Sequence, residues 1–210
     1  FGNGVTNTTA NPMQFYSLPG SFTVSLKVIN EGVCADSITK PNYINAVTSA
    51  PPSVVPILSV SVKDDRNIDI LWQNSSATNL SRYELYRRDN SNAQFNLIYS
   101  DLNPKNSNWN VSSSYQDSTV STDISFYSYK IQTVNMCNSK ISLDSSTAHT
   151  SILLHATAQQ DAVALSWNYY EGCDVGGYEI VRSDDGANFK SVLIVDALTN
   201  SIIDSTAFCP

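Results

Sequence analysis

Residues 67–89 read NIDILWQNSSATNLSRYELYRRD, and residues 162–184 read AVALSWNYYEGCDVGGYEIVRSD. A shift of 95 residues brings identical residues of the two stretches into register, among them Trp72 with Trp167, Tyr83 with Tyr178, Glu84 with Glu179 and Arg87 with Arg182. The interval of eleven residues from tryptophan to tyrosine is unchanged, and apolar positions on both sides agree as well. The sequence therefore predicts that one structural unit occurs twice.

Apolar and polar residues alternate before each tryptophan and after each tyrosine, as at Ile68, Ile70 and Trp72. This period of two is typical of strands that bury one face. A polar loop joins the two strands of each copy. Turn-forming residues follow the second strand, as DNSNAQ from Asp89 in one copy and DDGAN from Asp184 in the other. Each copy is therefore expected to contain a strand, a loop and a hairpin.

Further segments extend this pattern beyond the aligned stretches. YQDST from Tyr115 corresponds to IIDST from Ile202, and FYSYKIQTV at 126–134 reads as another strand. Residues 141–154 add more sequence compatible with strands, and no segment has a helical period over ten residues. Short strands at this spacing predict an all-β fold of tandem Ig-like β-sandwiches. We expect the two repeated tryptophans to be buried equivalents, each between the two sheets of its own sandwich.

An alternating strand is also predicted near the start of the chain, in PGSFTVSLKVIN at 19–30. Its apolar side chains share one face and its polar side chains share the other, which predicts a strand with one buried face. Pro19 and Gly20 precede it, and we expect a turn there in which Gly20 adopts a positive φ.

Composition limits the classes of partner. The formal net charge is −7 at pH 7 and the pI is about 4.6, which argues against nucleic acid and anionic membranes as partners. No run approaches the roughly 18 apolar residues that span a bilayer, so we expect no direct membrane insertion. The sequence begins at Phe1 without a methionine, and we expect it to be a segment of a longer protein.

The repeat and the proline content predict the domain boundaries. We expect an opening unit at 1–48, a proline-rich linker at 49–56, a first repeat at 57–149 and a second repeat at 150–210. The second repeat is expected to be truncated before its last strands. Three prolines in AVTSAPPSVVP, from Ala46, predict an extended and semi-rigid linker.

The opening unit resembles the C-terminal half of a PKD domain. The resemblance is carried by FGNG at Phe1, the Asn-Pro pair at Asn11, Tyr16, PGSFTVSLKVIN and GVCADSITKPNYINAV. Asn3, Gln14 and Phe22 stand where the family usually has Asp, His and Tyr. The resemblance implies that the Pro-Gly strand belongs to a PKD β-sandwich, whose earlier strands would precede Phe1.

The two repeats resemble fibronectin type III domains found in surface proteins of gliding bacteria. The tryptophan followed by GYEIxR in the second repeat, and its counterpart in the first, are similar to the tandem that often precedes a type IX secretion sorting domain in gliding-motility-associated proteins. This resemblance implies one complete and one truncated fibronectin type III domain in a secreted, extracellular or cell-surface protein.

The sequence offers no catalytic constellation. His149 and His155 have no companion metalloprotease or serine-hydrolase motif, and we expect ordinary strand or junction histidines. The acidic pairs that begin at Asp64 and Asp184 lie where hairpins need turn residues, which favours turn chemistry over calcium binding. We therefore predict a chain that is not an enzyme, with no catalytic, metal-binding or cofactor-binding residue and no cofactor.

Two groups of residues are candidates for contacts with other molecules. Trp109, Tyr169 and Tyr170 lie in loops outside the repeated core pattern, so they are the candidates for partner or glycan contact. The Asp-Ser pairs of the bacterial O-glycosylation pattern, which the resemblance makes relevant, give three candidate modification sites, namely Ser37, Ser118 and Ser205.

The four cysteines, Cys34, Cys137, Cys173 and Cys209, form no CxxC motif. Cys173 and Cys209 are expected at opposite poles of a sandwich about 25–30 Å long, whereas a disulfide needs Cα atoms within about 7 Å. Cys137 is expected in the loop after its strand, at the end of the first repeat nearest the opening unit. We predict no disulfide among the four. The resemblance implies a partner for Cys34 upstream of Phe1, and we expect Cys209 to pair outside the sequence as well.

These observations lead to three functional hypotheses. The first is a non-catalytic spacer and adhesion scaffold within a large bacterial surface protein, with neighbouring domains, surface proteins or polysaccharide as partners. The second is a carbohydrate-binding accessory region of a secreted polysaccharide hydrolase. The third is a structural subunit of a surface filament. The sequence alone leaves the three open.

Overall fold

The computed structural model of the chain describes residues 1–30, 35–102 and 112–206. Within these ranges the regular elements are strands in small antiparallel sheets, apart from one short 3-10 helix at Leu143–Ser145. The predicted all-β class is confirmed.

The opening unit forms a two-stranded antiparallel ladder of β1 (Gly20–Ile29) and β2 (Ala35–Ala46). Phe22 lies opposite Ile44 in this ladder, and the Tyr16 ring packs on Phe22 with centroids 4.5 Å apart. The alternating sequence thus forms the predicted strand.

Two details of this strand differ from the expectation. The apolar face was expected to be buried along its whole length, but Leu26 and Val28 are 64% and 60% exposed. Only β2 pairs with β1 among the described residues, and a two-stranded ladder cannot cover its own apolar face. Gly20 is already the first residue of β1 and does not have the positive φ that we expected.

The first repeat consists of two sheets that pack around a common core. One sheet has the order β3-β4-β7 and the other the order β6-β5-β8-β9. Their bounds are β3 (Ile57–Asp64), β4 (Asn67–Gln73), β5 (Leu80–Asp89), β6 (Asn96–Asp101), β7 (Ser112–Asp117), β8 (Tyr127–Asn135) and β9 (His149–Thr150). The buried cluster takes side chains from both sheets, an arrangement consistent with a β-sandwich.

The second repeat also has two sheets. A three-stranded sheet has the order β10-β11-β14, and β12 pairs with β13 in a separate sheet. Their bounds are β10 (Leu154–Gln159), β11 (Ala162–Trp167), β12 (Gly177–Arg182), β13 (Lys190–Asp196) and β14 (Ser201–Asp204).

The repeated residues occupy equivalent positions. Trp72 and Trp167 are 1% and 6% exposed, and each packs on the tyrosine of the facing sheet, with ring centroids 5.9 and 5.5 Å apart. The predicted burial of both tryptophans between two sheets is confirmed. The tyrosine hydroxyls match as well, because Tyr83 accepts a hydrogen bond from the Ser75 amide and Tyr178 accepts one from the Tyr170 amide.

The stretch at 141–154, whose sequence is compatible with strands, contains the strand β9 and also the 3-10 helix at Leu143–Ser145. Ser142 caps the 3-10 helix by accepting a hydrogen bond from the Asp144 amide, because Ser and Asp favour such local side-chain bonds over strand pairing. The strand β9 then crosses the boundary expected at 149/150, so that Thr150 still belongs to the sheet of the first repeat.

Candidate functional site: the junctions between the units

The first junction joins the linker to the first repeat, and Asn135 is one of its side-chain donors. Its Nδ2 donates to the carbonyl oxygens of Ser49 and Ala50 at 2.8 and 3.0 Å. Its Oδ1 accepts from the amides of Cys137 and Ser139 at 2.9 and 2.8 Å. Asn135 is buried at the end of β8, so a single amide side chain holds both the linker and the following turn.

Two more buried side chains bind the linker. Asn79 Nδ2 donates to the carbonyl oxygens of Thr48 and Ala50 at 3.2 and 2.9 Å. Thr133 Oγ1 donates to the carbonyl oxygen of Pro52 at 2.9 Å. The prolines prevent the linker from forming a regular ladder, because proline has no N–H to donate. Its carbonyl groups are satisfied instead by side chains of the first repeat, which fix its path.

The second junction joins the two repeats directly at β9. The Thr150 amide donates to the Glu171 carbonyl oxygen at 3.0 Å, and the Glu171 amide donates to Thr150 Oγ1 at 2.8 Å. Asn168 Oδ1 accepts from the Leu153 amide at 2.7 Å, and Asn168 Nδ2 donates to the Ser151 carbonyl at 3.0 Å. The loop after β11 is therefore bonded to the segment that connects the repeats.

His149 and Tyr170 form an aromatic contact at this junction. His149 Nδ1 and the Tyr170 hydroxyl lie 3.0 Å apart, and the two rings meet edge to face. Gly172 has a φ of +126°, and a Cβ at this position would lie 2.3 Å from His149 Cγ. Only glycine fits here, because the backbone conformation and the imidazole ring both exclude a side chain. The close approach of Gly172 to the ring allows the loop to cover His149.

Burial determines the electrostatics of this contact. His149 is buried, and burial lowers its pKa below 6.5, so the imidazole is neutral at pH 7. Burial also raises the pKa of Tyr170, with a further contribution from Cys173. Both groups are therefore uncharged hydrogen-bond partners at neutral pH, and the contact holds the repeats together without a formal charge.

The acidic turns bind their own backbones. Asp64 Oδ1 accepts from the Arg66 amide, and Asp185 Oδ1 accepts from the amides of Ala187 and Asn188. These bonds are the turn chemistry that the sequence predicted at both acidic pairs. No group of three or more metal-ligating side chains occurs in the part of the chain that the structure describes.

The aromatic candidates for partner contact fall in different surroundings. Tyr169 is 49% exposed and donates its hydroxyl to the Leu198 carbonyl at 2.8 Å. Tyr170 is half-buried in the junction with His149. Trp109 lies outside the described residues. Tyr169 alone of the three is thus shown with a largely accessible ring.

The three candidate O-glycosylation serines, Ser37, Ser118 and Ser205, are all exposed. The aspartates before them differ. Asp117 and Asp204 are buried and bonded within their repeats, whereas Asp36 lies exposed in β2. In both Asp-Ser-Thr segments the aspartate carboxylate is therefore buried within its repeat, whereas the serine that follows it is exposed to solvent.

The cysteine expectations can be compared with the structure at two of the four positions. Cys137 and Cys173 are free and exposed, in agreement with the prediction that they do not pair with each other. Cys137 follows Asn135 in the loop beside the linker, at the end of its repeat where we expected it. Cys34 and Cys209 lie outside the described residues.

The sequence did not point to the residues that hold the junctions. Asn135 and Gly172 belong to no motif, Asn79 belongs only to an Asn-Leu-Ser triplet of a kind that arises by chance in such a chain, and asparagine and glycine are common in loops. One weak signal was present, since Asn79 and Asn135 each directly adjoin an apolar strand residue where a solvated loop would start.

In comparisons with known proteins, no protein-family model and no curated protein matches the sequence of this chain. In the described ranges there is no helix with the length and apolar character needed to cross a bilayer.

Proposed function

We propose that this chain is a non-catalytic spacer and adhesion scaffold, part of a large secreted or cell-surface bacterial protein of the gliding-motility-associated type. Its units would be the C-terminal half of a PKD domain, a complete fibronectin type III domain and a truncated second one. The observation that carries the proposal is the pair of bonded junctions, at which buried side chains fix the linker and the second repeat to the first.

A spacer has to transmit orientation as well as distance. Neighbouring domains in one chain move relative to each other unless the contact between them is extensive. Here Asn135, Thr133 and Asn79 bind three linker carbonyls and the carbonyl of the residue before the linker, Thr48. Thr150 exchanges two bonds with Glu171. Each bond that opened would leave a buried polar group without a partner, at about 1–3 kcal/mol. Hinge motion at either junction is therefore opposed.

The buried ionisable groups support a structural rather than a catalytic role. Glu84 is buried, and its carboxylate binds Arg82, Tyr86 and Lys140 at 2.7–2.8 Å. Burial would raise the pKa of Glu84, but these hydrogen bonds outweigh it and lower the pKa. An acid with its acceptor positions filled by neighbouring side chains stabilises the sheet and has none free for a substrate.

Spin-label distances test the proposed stiffness. We suggest labels at exposed Lys27, Ser61 and Thr157, one in each unit, after replacement of the four cysteines by serine. The 27–61 and 61–157 pairs should each give a single narrow distance distribution. Asn135→Ala should broaden the first distribution alone, and Gly172→Ala should broaden the second alone. Broad distributions in the parent chain would overturn the spacer proposal.

Carbohydrate binding is the second candidate function, and the exposed ring of Tyr169 favours it because sugars stack on accessible aromatic faces. Glycan-array binding that is lost in Tyr169→Ala and in Trp109→Ala would support this function. Tyr170→Ala is a less specific variant, since it also removes the contact with His149. Turnover of peptide, ester or glycan substrates by repurified chain would contradict both candidates.

A further inference from the structure

A crevice of about 420 Å³ lies at the second junction, where the first repeat meets a loop of the second. Residues 88–93, at the end of β5 and in the turn that follows it, form one wall. Phe126 and Ser128, at the start of β8, form another, and Glu171 of the second repeat completes the lining. The volume falls within the range of about 300–1,000 Å³ that is usual for small-molecule sites. Both repeats therefore contribute to one small, largely polar crevice.

The turn after β5 is held in shape by its own hydrogen bonds. Asp89 Oδ1 accepts from the amide and the hydroxyl of Ser91 at 2.9 and 2.6 Å, and Asn92 Oδ1 accepts from the Gln94 amide at 2.9 Å. The side-chain amide of Asn90 and the Nδ2 group of Asn92 have no partner among the described residues. The wall is thus preformed, and two of its residues keep unpaired amide groups.

Glu171 is fixed by its main chain and keeps its side chain free. Its amide donates to Thr150 Oγ1 at 2.8 Å, and its carbonyl oxygen accepts from the Thr150 amide at 3.0 Å. The Glu171 side chain is exposed, and in the described ranges its carboxylate has neither a hydrogen bond nor an ion pair. The junction therefore positions this carboxylate at the crevice without using it.

Arg88 is the cation of the crevice. The other two arginines of β5 form ion pairs with buried carboxylates of the first repeat. Arg88 instead lies over the Phe95 ring, with Cζ 4.8 Å from the centroid, and no carboxylate lies within 4 Å of its guanidinium in the part of the chain that the structure describes. Contact with a ring face leaves the N–H donors of a guanidinium available. Arg88 and Glu171 thus line one crevice with opposite charges and do not pair with each other.

We propose that this crevice binds a neutral saccharide. A hydroxyl both accepts and donates hydrogen bonds, so adjacent sugar hydroxyls can accept from Arg88 and donate to Glu171. The unpaired amides of Asn90 and Asn92 suit further hydroxyl oxygens, and the half-buried ring of Phe126 supplies an apolar contact for the C–H groups of a sugar ring. A simple anion or cation would be attracted by one of the two charged side chains and repelled by the other.

This inference deepens the carbohydrate-binding candidate and rests on it for the class of ligand, but it places the saccharide at a site other than Tyr169. It is separable from the spacer function, because Glu171 contributes its main chain to the junction and its side chain to the crevice. A substitution of the Glu171 side chain therefore tests the crevice and leaves the bonds with Thr150 in place.

Titration of the 210-residue chain with cellotetraose, mannotetraose and xylotetraose, followed by amide NMR signals, tests the site. We expect at least one of these neutral tetrasaccharides to shift the signals of Asn90, Asn92 and Ser128. Arg88→Ala and Glu171→Ala should each weaken its binding about tenfold or more, because each removes a hydrogen-bond partner that carries a charge.

Two measurements identify the charge of the ligand group. Glu171→Gln should bind within about threefold of the parent, because its amide oxygen still accepts from a hydroxyl. A cationic or zwitterionic ligand would instead lose its affinity in this variant, and an anionic ligand would gain affinity. Binding of a neutral saccharide should also be unchanged between about 0.05 and 0.5 M salt, whereas binding of a charged polysaccharide should fall steeply.

Matched controls locate the effect. Asp174→Ala removes another exposed acid of the same loop, and Arg66→Ala removes an exposed arginine of the first repeat; neither residue lines the crevice, and both variants should bind like the parent. The spin-label distance between positions 61 and 157 should stay narrow in Glu171→Ala. The proposal is overturned if none of the three tetrasaccharides binds, if Glu171→Ala binds like the parent, or if binding depends steeply on salt. Binding that is lost in Tyr169→Ala but kept in Arg88→Ala and Glu171→Ala would overturn this site and leave the carbohydrate-binding candidate standing.

Discussion

Asp117 and Asp204 occupy the same place in the two repeats. Each ends a strand beside the tryptophan strand, and each accepts a bond from the arginine of the facing sheet, Arg87 at 2.6 Å and Arg182 at 2.7 Å. In the first repeat the same carboxylate also binds the Tyr129 hydroxyl. The equivalent carboxylate therefore links the two sheets in each repeat, and in the first repeat it also binds a tyrosine hydroxyl.

The first prediction concerns the acid stability of the first repeat. Burial would raise the pKa of Asp117, but bonds from Thr119 and Arg87 outweigh it and hold the pKa below the ordinary value of 3.8. A carboxyl with a lowered folded pKa stabilises the protein fully above the unfolded value and loses this contribution as pH falls through the folded value. We expect Asp117→Asn to lower the free energy of unfolding by about 2–3 kcal/mol at pH 7.

Urea unfolding between pH 2 and 7 measures this effect. The difference between parent and Asp117→Asn should begin to shrink below about pH 4, where the carboxyl of the unfolded chain takes up a proton, and should vanish only below the lowered pKa of the folded chain. Asp204→Asn is the matched control, and it should have a smaller effect because Arg182 is more exposed than Arg87. Equal effects of the two substitutions would contradict the role given to burial.

The second prediction concerns the core of the first repeat. Trp72→Ala should destabilise this unit by about 3–5 kcal/mol, because it removes a fully buried ring that packs on Tyr83. Trp167→Ala should lower the free energy of unfolding by less, because Trp167 lines a cavity of about 320 Å³ between the two sheets of its repeat and is therefore less tightly packed. Thermal unfolding followed by circular dichroism gives both values.

Two variants calibrate this comparison. Trp72→Phe should be milder than Trp72→Ala, because it keeps most of the apolar volume and removes an indole N–H that has no partner among the described residues. Leu97→Ala, at an exposed position of β6, should stay within about 0.5 kcal/mol of the parent. A Trp72→Ala variant that melts like the parent would show that the ring is not a core residue.

The tryptophan and tyrosine positions show why much of the fold could be predicted from the sequence. Burial of one face imposes a period of two on a strand. The interval of eleven residues between Trp72 and Tyr83 recurs in the second repeat, as expected where a loop of fixed length joins two facing sheets. The register agrees, since Asp117 lies opposite Ile68 and Asp204 lies opposite Val163.

The junctions could not be predicted in the same way. Gly172 contacts a histidine 23 positions earlier in the chain, and such a contact leaves no period and no motif. The exposure of Leu26 had a different cause, because alternation predicts which side chains share a face but not whether a second layer covers it. The local sequence pattern therefore predicts neither a contact between distant loops nor the presence of a second layer over a sheet.

The third prediction concerns the pH dependence of the second junction. Burial lowers the pKa of His149, so the unfolded histidine binds a proton more readily than the folded one. The contribution of the neutral imidazole is therefore complete above about pH 6.5 and falls as the pH drops below it. We expect the protection factors of the Thr150 and Glu171 amides, in which the intrinsic pH dependence of exchange is already removed, to fall below pH 6.5. In His149→Phe the exchange rates, corrected for intrinsic pH effects, should lose this dependence, and a parent junction insensitive to pH would contradict the assignment.

The fourth prediction concerns the exposed thiols. Cys137 and Cys173 are free, so a thiol reagent should modify both in the native chain without prior reduction. Peptide mapping by mass spectrometry identifies the modified positions. Recovery of a peptide in which these two cysteines are joined would show that the two loops lie closer than the structure places them.

The fifth prediction uses two glycines that both have a positive φ, +126° at Gly172 and +74° at Gly186, and that differ in their surroundings. Gly172 and Gly186 both have positive φ, but a Cβ at Gly186 would meet nothing within 4 Å, whereas one at Gly172 would overlap the His149 ring. Gly186→Ala should therefore cost only the backbone term of about 1–2 kcal/mol. Gly172→Ala should cost about 1–3 kcal/mol more, because the ring must move away from the Tyr170 hydroxyl.

The location of the damage distinguishes the two variants further. Gly172→Ala should expose the amides of Thr150 and Glu171 to exchange, because the loop can no longer lie against His149, whereas β12 and β13 should keep the protection of the parent. Gly186→Ala should affect only the hairpin between β12 and β13 and leave the junction amides protected. If both variants lost the same stability and spared the junction, the Gly172 contact would have no part in joining the two repeats, and the bonds made by Thr150 and Asn168 would have to hold them alone.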